Sequence, residues 1–445
     1  MLKIYIFYSK YLFLWLLVTF LFLGFSGIYE KKRGYFDLIK RKIYQQRGIV
    51  TGIHINAFII LFLVRSSDSI DWETIWIGIG MLIFLILGWI LLDYKCKNED
   101  GFLWNAIFLL LVLSIVLLHR LSPSLAKKQL VWIYLSFTFA TLFSFFFKFF
   151  STLKKGEIIY MIIGWGLLVL PFFFGEERYG AINWVNIRNF NFQPSEFVKV
   201  IMVLYLASVL KEEKSIKEWI VPLITVCGYI GILVIQRDLG GAFIYFITAL
   251  SLIYIAIGKE ILFLGGLGIA SVAGLIAYPL FPHVQIRVEA WLNPWKNIDG
   301  RGYQVAQSLF ALGSWGWMGS GLTKGYAGYV PAVTTDFIFA AICEEFGSLF
   351  GIGIIIVFLF IFIQMSQRII KVKNTFNFLL GVGLISIFSF QTFLILGGVL
   401  KVIPLTGVTL PFLSYGGSSM FISMLMFKLM QWIGGEQESL AKERE

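Results

Sequence analysis

Carboxylates cluster in the stretch YVPAVTTDFIFAAICEEFG, which runs from Tyr329 to Gly347. Asp336 follows a polar loop and precedes an apolar run, so it would stay ionised at a membrane–water boundary if that run entered a bilayer. Glu344 and Glu345 would lie about 12 and 13.5 Å further along a helix that rises 1.5 Å per residue. Carboxylates at that depth are usually functional or paired. Asp336 is a candidate functional residue because of its place at the mouth of this run, and the alternative is that it only caps a helix.

Four further polar clusters border apolar runs. Glu196 and Lys199 are three residues apart at a helix start, so they share one face and form a predicted ion pair. Arg237 and Asp238 lie at a glycine-broken helix end, where exposed backbone amides can meet an anion. The other two clusters contribute Arg287, Glu289, Gln304, Gln307 and Ser308, and Ser414, Tyr415, Ser418 and Ser419. Any one cluster is typical of membrane anchoring, but all four are predicted on one membrane face, which favours a site.

The elements that carry these residues are predicted from composition. Hydrophobic residues make up 58% of the 445 positions and charged residues 14%, which excludes an ordinary soluble globule. The net charge of +11 comes from short basic clusters between apolar runs, a pattern typical of topology signals and anionic-lipid contacts rather than nucleic-acid binding. The three cysteines and three histidines are scattered, so neither a disulfide framework nor a zinc site nor a histidine-centred triad is predicted.

Apolar windows and alternating basic loops predict an all-α polytopic membrane protein. Residues 1–101 form an N-terminal extension of about three transmembrane helices, and residues 102–434 form a core of about ten. One core span is predicted from Phe337 to Ile363. The long polar loop 282–336 is expected outside, ordered and packed on the membrane surface, because it is rich in Trp, Tyr and Gly. Residues 435–445 form a charged cytoplasmic tail.

Five motifs carry a resemblance to a known family. They are, in order, NFQPSEFVK, RDLGGA, the RGYQVAQS block, TTDFIFAAICEEFG and PLTGVTLPFLSYGG. This series resembles the SEDS family, the RodA/FtsW/SpoVE group, over roughly Phe102 to Ile433. The resemblance implies a ten-helix core that polymerises lipid II, the undecaprenyl-pyrophosphate-linked disaccharide peptide, into peptidoglycan glycan strands. It also implies a class B penicillin-binding protein as the partner transpeptidase, and a cytoplasmic-membrane enzyme whose active site faces outward.

The resemblance also assigns residues. The family's essential aspartate falls on Asp336, its glutamate pair on Glu344 and Glu345, and its tryptophan on Trp184. The Glu and Lys of its QPSE motif fall on Glu196 and Lys199. This chain has Asn183 where the family commonly has Arg, and Arg237 where it commonly has Pro. Arg237 or Arg188 is then the substitute for the missing positive charge.

The implied reaction can be matched to residue types. Extending a glycan on a lipid-pyrophosphate donor needs a base for the acceptor hydroxyl, which Asp336 fits, and cations for the pyrophosphate. Arg287, Arg237 and Lys324 are candidates for those cations, since arginine binds phosphate in a bidentate way. A divalent cation, Mg²⁺ or Mn²⁺, held through Asp336 or Glu289 is an alternative. The predicted substrate-binding set is Trp184, Glu196, Lys199, Arg237, Asp238, Arg287, Gln307, Ser308, Lys324, Glu345, Ser414 and Tyr415.

Two other functional classes stay open from the residues. A lipid flippase or transporter would also place ionisable residues such as Glu196, Lys199 and Glu345 inside the membrane. A non-catalytic scaffold of a cell-wall synthesis complex would account for the basic cytoplasmic loops. The sequence does not distinguish elongation, division and sporulation, and it gives no purpose for the N-terminal extension.

Overall fold

The computed structural model describes residues 2–66, 69–96, 98–151, 156–178, 181–187, 190–212 and 219–442. Arg188 lies outside these residues. The helices are α1 Leu2–Arg33, α2 Phe36–Arg65, α3 Trp72–Lys95, α4 Gly101–Leu121, α5 Pro123–Ser151, α6 Glu157–Phe174, α7 Pro194–Leu210, α8 Ile220–Ile235, α9 Leu239–Ile257, α10 Glu260–Leu280, α11 Pro282–Leu292, α12 Tyr303–Gly313, α13 Ile338–Phe346, α14 Ser348–Ile369, α15 Thr375–Val399 and α16 Gly417–Lys442. The strands are β1 Gly175–Arg178, β2 Ala181–Ile187 and β3 Phe190–Phe192.

Most of these helices are apolar enough for a bilayer. Within the described residues, nine helices are long and apolar enough to cross a membrane, and α8 is a shorter apolar helix. Only helices and closed barrels satisfy their backbone groups in lipid, so a chain with this many apolar helices is a multi-pass membrane protein. The predicted fold class is confirmed.

Polar side chains start several helices at the expected places. The carboxylate of Asp100 accepts from the backbone amides of Phe102 and Leu103 and so caps α4. The Asp238 carboxylate accepts from the amide of Gly241 and caps α9 in the same way. These caps satisfy amides that have no partner inside the helix.

Helix α4 is the centre of the bundle, and nearly all its residues are buried. It packs against α2, α3, α5, α13 and α14. The N-terminal helices therefore pack directly on the core: α2 lies on α4, α1 on α14, and α3 on α5. Buried polar contacts join the two parts, including Asn105 Nδ2 of α4 donating to Gln46 Oε1 of α2 at 3.2 Å.

The long loop after α10 is folded. It contains α11, α12 and three short 3-10 helices, at 294–297, 316–318 and 327–329. Its ordered character agrees with the prediction. The single span predicted from Phe337 to Ile363 is wrong, because Gly347 breaks it into α13 and α14. Gly347 has φ +98°, and a Cβ there would lie 2.4 Å from the carbonyl oxygen of Trp317, so only glycine fits.

A small antiparallel sheet, ordered β1-β2-β3, leads into α7. Trp184 of β2 pairs with Glu176 of β1, and Val185 pairs with Phe192 of β3. Pro194 then occupies the first turn of α7, where its missing amide and fixed φ are tolerated. The sheet was not predicted, and it places Asn183 and Gln193 beside the start of α9.

Candidate functional site

Arg287 of α11 is held against the loop 400–416 that joins α15 to α16. Its Nη1 donates to the carbonyl oxygen of Thr406 at 2.8 Å. Gly407 has φ +74°, and a Cβ there would lie 3.1 Å from Arg287 Nη2, so the glycine makes room for the guanidinium. Trp291 Nε1 donates to the carbonyl oxygen of Lys401 at 3.1 Å, which ties the same helix to the same loop.

Asp336 lies at the end of a tight turn just before α13. The amides of Thr335 and Asp336 both donate to the carbonyl oxygen of Ala332, at 3.1 and 3.0 Å. Two contacts from the loop 400–416 fix the turn: Ser414 Oγ donates to the carbonyl oxygen of Thr335, and the Tyr415 amide donates to that of Thr334 at 2.8 Å. The predicted Ser414 and Tyr415 therefore contact the backbone that carries Asp336.

The alternative reading of Asp336 as a helix cap has no support in this geometry. The cap position of α13 is Phe337, and no side chain caps the helix. Burial raises the pKa of the Asp336 carboxyl, although a hydrogen bond from Thr335 and the charge of Arg287 act in the opposite direction. Burial also lowers the pKa of the Arg287 guanidinium, and Asp336 and Asp238 oppose that shift. Asp336 and Arg287 are both half-buried, and the charge of each acts on the pKa of the other.

Asp238 joins three elements at the same end of the bundle. Besides capping α9, its carboxylate accepts from Asn183 Nδ2 of β2 and from Gln193 Nε2, both at 3.1 Å. Asn183, which replaces the arginine common in the family, therefore binds the carboxylate of Asp238. Gly240 allows the start of α9 to pack closely on the loop 400–416, since a Cβ at this position would lie 2.8 Å from the carbonyl oxygen of Thr406.

The predicted ion pair in α7 is confirmed. Lys199 Nζ lies 2.8 Å from Glu196 Oε2, and Lys199 is almost fully buried. Lys199 Nζ also donates to Gln391 Oε1 of α15 at 2.8 Å, and Gln391 Nε2 donates to the carbonyl oxygen of Thr409 at 2.9 Å. The pair therefore connects α7 through α15 to the loop 400–416.

Glu344 and Glu345 hold a different part of the outer loop. Glu344 Oε1 accepts from the amide of Tyr326 at 2.7 Å, and Glu345 Oε2 accepts from that of Thr323 at 3.1 Å. Glu345 also forms an ion pair with Arg120 at the end of α4, with Arg120 Nε 3.2 Å from Glu345 Oε1. Its predicted contact with substrate stays a prediction.

The remaining predicted residues are spread over the same face. Arg237 is exposed in the α8–α9 turn with φ +61°, and Lys324 is exposed in the outer loop. Gln307 is partly exposed on α12, whereas Ser308 beside it is fully buried. Trp184 is partly exposed on β2. Left-handed φ values in residues other than glycine are concentrated at functional sites. The strained backbone of Arg237 therefore supports a functional site near the α8–α9 turn.

Sequence reasoning missed several residues that position the predicted ones. Gln391 and the backbone of Thr406 have direct contacts to Lys199 and Arg287. Gln391 carried a signal, because it is a polar residue inside the apolar run ISIFSFQTFLIL. Thr406 had none, since it acts through a carbonyl group that every residue has.

The part of the chain that the structure describes contains no group of three or more His, Cys, Asp or Glu side chains placed to hold a metal ion. Glu289, one predicted metal ligand, instead faces Arg301 in an exposed ion pair of 3.3 Å. A cation at Asp336 would therefore need most of its oxygen ligands from substrate and water.

Comparison with known proteins gives one consistent result. Residues 101–439 match the FtsW/RodA/SpoVE family model, described as a cell cycle protein. The chain is 28% identical to the peptidoglycan glycosyltransferase RodA of Mycobacterium tuberculosis, over 84% of this chain and 86% of the relative. It is 33% identical to the stage V sporulation protein E of Bacillus subtilis, over 62% of this chain and 77% of the relative.

Solved structures agree on the fold. One, described as showing structural coordination of polymerization and crosslinking by a peptidoglycan synthase complex, matches with a TM-score of 0.66 and 26% identity. The match covers 76% of this chain and 98% of the other. The rod shape determining protein RodA of Thermus thermophilus matches with a TM-score of 0.56 and 21% identity, over 78% of this chain and 99% of the other, and supports the fold alone.

Proposed function

The chain belongs to the FtsW/RodA/SpoVE family, and we propose that it is a peptidoglycan glycosyltransferase that polymerises lipid II at the outer face of the cytoplasmic membrane. The product is the glycan strand of the cell wall, made for cell shape, division or sporulation. The observation that carries the proposal is the half-buried Asp336, on which the charge of Arg287 acts, at the place where α11, the loop 400–416 and the turn before α13 meet.

Asp336 is the general base of the proposed reaction. Its carboxylate takes the proton of the acceptor sugar hydroxyl as that oxygen attacks the anomeric carbon of the donor. The new glycosidic C–O bond forms, the C–O bond to the pyrophosphate breaks, and the lipid pyrophosphate leaves. A single displacement of this kind inverts the anomeric configuration. The raised pKa makes Asp336 a stronger base than an exposed aspartate, which favours general base catalysis.

Arg287 is the first candidate for binding the pyrophosphate. The guanidinium has five N–H donors in a planar arrangement suited to phosphate, and its one described hydrogen bond runs from Nη1 to the carbonyl oxygen of Thr406. The other donors can therefore bind phosphate oxygens. Arg237 and Lys324 are exposed cations on the same face. If a divalent cation is bound as well, the Asp336 carboxylate would hold it, and the cation would supply Lewis-acid stabilisation of the leaving group.

The partner we propose is a class B penicillin-binding protein, whose transpeptidase would crosslink the new strand. The similarity to a chain of a peptidoglycan synthase complex supports this pairing. Among the other predicted members of the substrate site, Trp184, Gln307 and Tyr415 are partly exposed and are proposed to contact the sugar or peptide parts of lipid II.

The test is polymerisation of labelled lipid II by the purified protein with its partner. Asp336→Asn keeps the size of the side chain but removes its basicity. Loss of a positioned general base typically costs about 10²–10⁴-fold in rate, so we expect this variant to fold and to retain at most a few per cent of the activity.

Asp299→Asn is the matched control, because Asp299 is exposed in the same outer loop. It should polymerise at the wild-type rate. Near-normal activity of Asp336→Asn would exclude Asp336 as the base. Lipid transport without any polymer from the wild-type protein would favour the flippase reading, and neither activity would favour the scaffold.

A further inference from the structure

Gln129 of α5 is a fully buried polar residue next to the loop 400–416. Its Nε2 donates to the carbonyl oxygen of Ser414 at 3.1 Å, and its Oε1 accepts from the amide of Gly416 at 3.3 Å. Ser114 of α4 makes a similar contact one residue earlier, since its Oγ donates to the carbonyl oxygen of Leu413 at 2.8 Å.

The backbone that Gln129 contacts has no regular secondary structure, because α16 begins only at Gly417. Buried backbone groups outside helices and strands still need partners. A glutamine amide has one carbonyl acceptor and an NH₂ donor in one plane, so it can bind a backbone carbonyl and a backbone amide as a neighbouring β-strand would. The residue type thus fits the two backbone groups it meets.

The same backbone supports the turn that carries Asp336. Ser414 Oγ and the Tyr415 amide donate to the carbonyl oxygens of Thr335 and Thr334. Gln129 contacts the residues on both sides of Tyr415, and so a short path of hydrogen bonds runs from α5 to the turn that precedes Asp336.

We propose that Gln129 is a positioning residue for Asp336, acting by fixing the backbone of residues 414–416 on which the Asp336 turn rests. The inference rests on the proposed function, because it assumes that Asp336 is the base. Ser114 assists from α4. Neither residue contacts substrate in this scheme.

The expected effect follows from the geometry of the reaction. Rates depend steeply on the placement of reacting groups, and a shift of about 1 Å can cost about 10²-fold. Replacing Gln129 by leucine leaves the buried carbonyl of Ser414 and the half-buried amide of Gly416 without this partner, so the segment 414–416 must move to find new ones. The Asp336 turn moves with it, and water gains access to the carboxylate.

The experiment compares polymerisation of lipid II by wild type, Gln129→Leu, Ser114→Ala, Asp336→Asn and Gln364→Leu. Gln364 is the matched control, since it is a buried glutamine of α14 outside this network. We expect the kcat of Gln129→Leu to fall about 10–100-fold with a smaller change in KM. Ser114→Ala should show a smaller loss in the same direction, and Gln364→Leu should stay within about twofold of wild type.

The pH dependence separates positioning from loss of folded protein. Burial raises the pKa of Asp336 in the wild type, so water entering the site should lower it and move the acid limb of kcat to lower pH. The charge of Arg287 acts directly on the Asp336 carboxyl, and the charge of Asp238 acts on Arg287. His283 is close enough to feel the charges of both Arg287 and Arg237. None of these groups is changed in the variants. A purely structural defect would reduce the amount of active protein but leave the acid limb in place.

Wild-type kcat and an unmoved acid limb in Gln129→Leu would overturn the inference. If Gln129→Leu does not fold, Ser114→Ala decides, and an unmoved acid limb there has the same meaning. An active Asp336→Asn would instead overturn the proposed function. An inactive Asp336→Asn together with a normal Gln129→Leu would leave the proposed function intact and remove only the inference about Gln129.

Discussion

At the scale of single residues, the ion pair of Glu196 and Lys199 has a further polar partner, Gln391. Lys199 is almost completely buried and also donates to Gln391, which in turn donates to the backbone of Thr409. The ammonium of Lys199 therefore has its charge paired with Glu196, and the protein accepts two of its three hydrogen bonds. The geometry therefore favours a structural role over direct contact with phosphate.

Exchanging the two charges tests this interpretation. Breaking a buried pair by removing one partner costs about 3–5 kcal/mol, because the other charge is left unpaired. We expect Lys199→Met and Glu196→Gln each to lower the melting temperature and polymerisation. The double variant Glu196→Lys with Lys199→Glu should recover part of both, although Gln391 loses its donor. A swap as inactive as the single variants, yet fully stable, would favour phosphate contact by Lys199.

At the scale of elements, α13 is a short helix held at both ends. Its first turn follows Asp336, and its last turn accepts from the outer loop: the amides of Ser320 and Gly321 donate to the carbonyl oxygens of Glu344 and Glu345, both at 2.9 Å. Helix α1 of the extension supports the same segment, since Lys10 Nζ donates to the carbonyl oxygen of Gly319 at 3.2 Å. The N-terminal extension thus reaches the outer loop.

Gly319→Ala should disrupt this junction. Gly319 has φ +69° and ψ 175°, a region essentially restricted to glycine, and a Cβ there would lie 2.4 Å from the amide nitrogen of Gly347. The strained backbone costs about 1–3 kcal/mol before any clash is counted. We expect a lower melting temperature in detergent and reduced polymerisation.

Gly328→Ala provides the comparison, because it lies in the same outer loop and a Cβ there would meet nothing within 4 Å. It should behave as wild type. Equal stability of the two variants would show that the packing of the segment 319–321 on α13 contributes little.

At the scale of the whole molecule, the site residues all lie at one end of the helix bundle. Asp336, Asp238 and Ser414 are on loops or helix ends that meet there, together with the short helix α11 that carries Arg287. Asp100 and Arg368 form a buried ion pair of 3.5 Å elsewhere, at the start of α4 and the end of α14. The alternation of basic loops predicts that the Asp336 end faces outward.

Cysteine labelling tests that orientation. We expect Asp299→Cys, in a background with Cys96, Cys227 and Cys343 replaced by alanine, to react with an impermeant reagent in intact cells. Asp299 is exposed in the outer loop, so the reagent can reach a cysteine at this position.

The control is Lys371→Cys in the exposed α14–α15 loop, which should react only after permeabilisation. The reverse pattern would place Asp336 on the cytoplasmic side and contradict an outward-facing active site. The division into residues 1–101 and 102–434 stays a prediction, although α1 to α3 pack closely on the core.

The sequence by itself determined the features that depend on local spacing and composition. Long apolar runs predict membrane helices whatever their neighbours are, and the i, i+3 spacing of Glu196 and Lys199 is enough to predict their ion pair. The ordered series of motifs identified the family. Asp336 was predicted as a candidate from its place at the mouth of an apolar run, and the resemblance to the family assigned it the central role.

Only the tertiary structure decided which residues position Asp336 and Arg287. Gln129 and Ser414 are 285 positions apart, and Arg287 and Thr406 are 119 apart. Their contacts depend on how whole helices pack, and in Thr406 and Gly416 the contacting group is backbone, which carries no sequence signal. The break at Gly347 was hidden for a similar reason, because a glycine within an apolar run is common in membrane helices. Its positive φ is imposed by the outer-loop backbone packed against it.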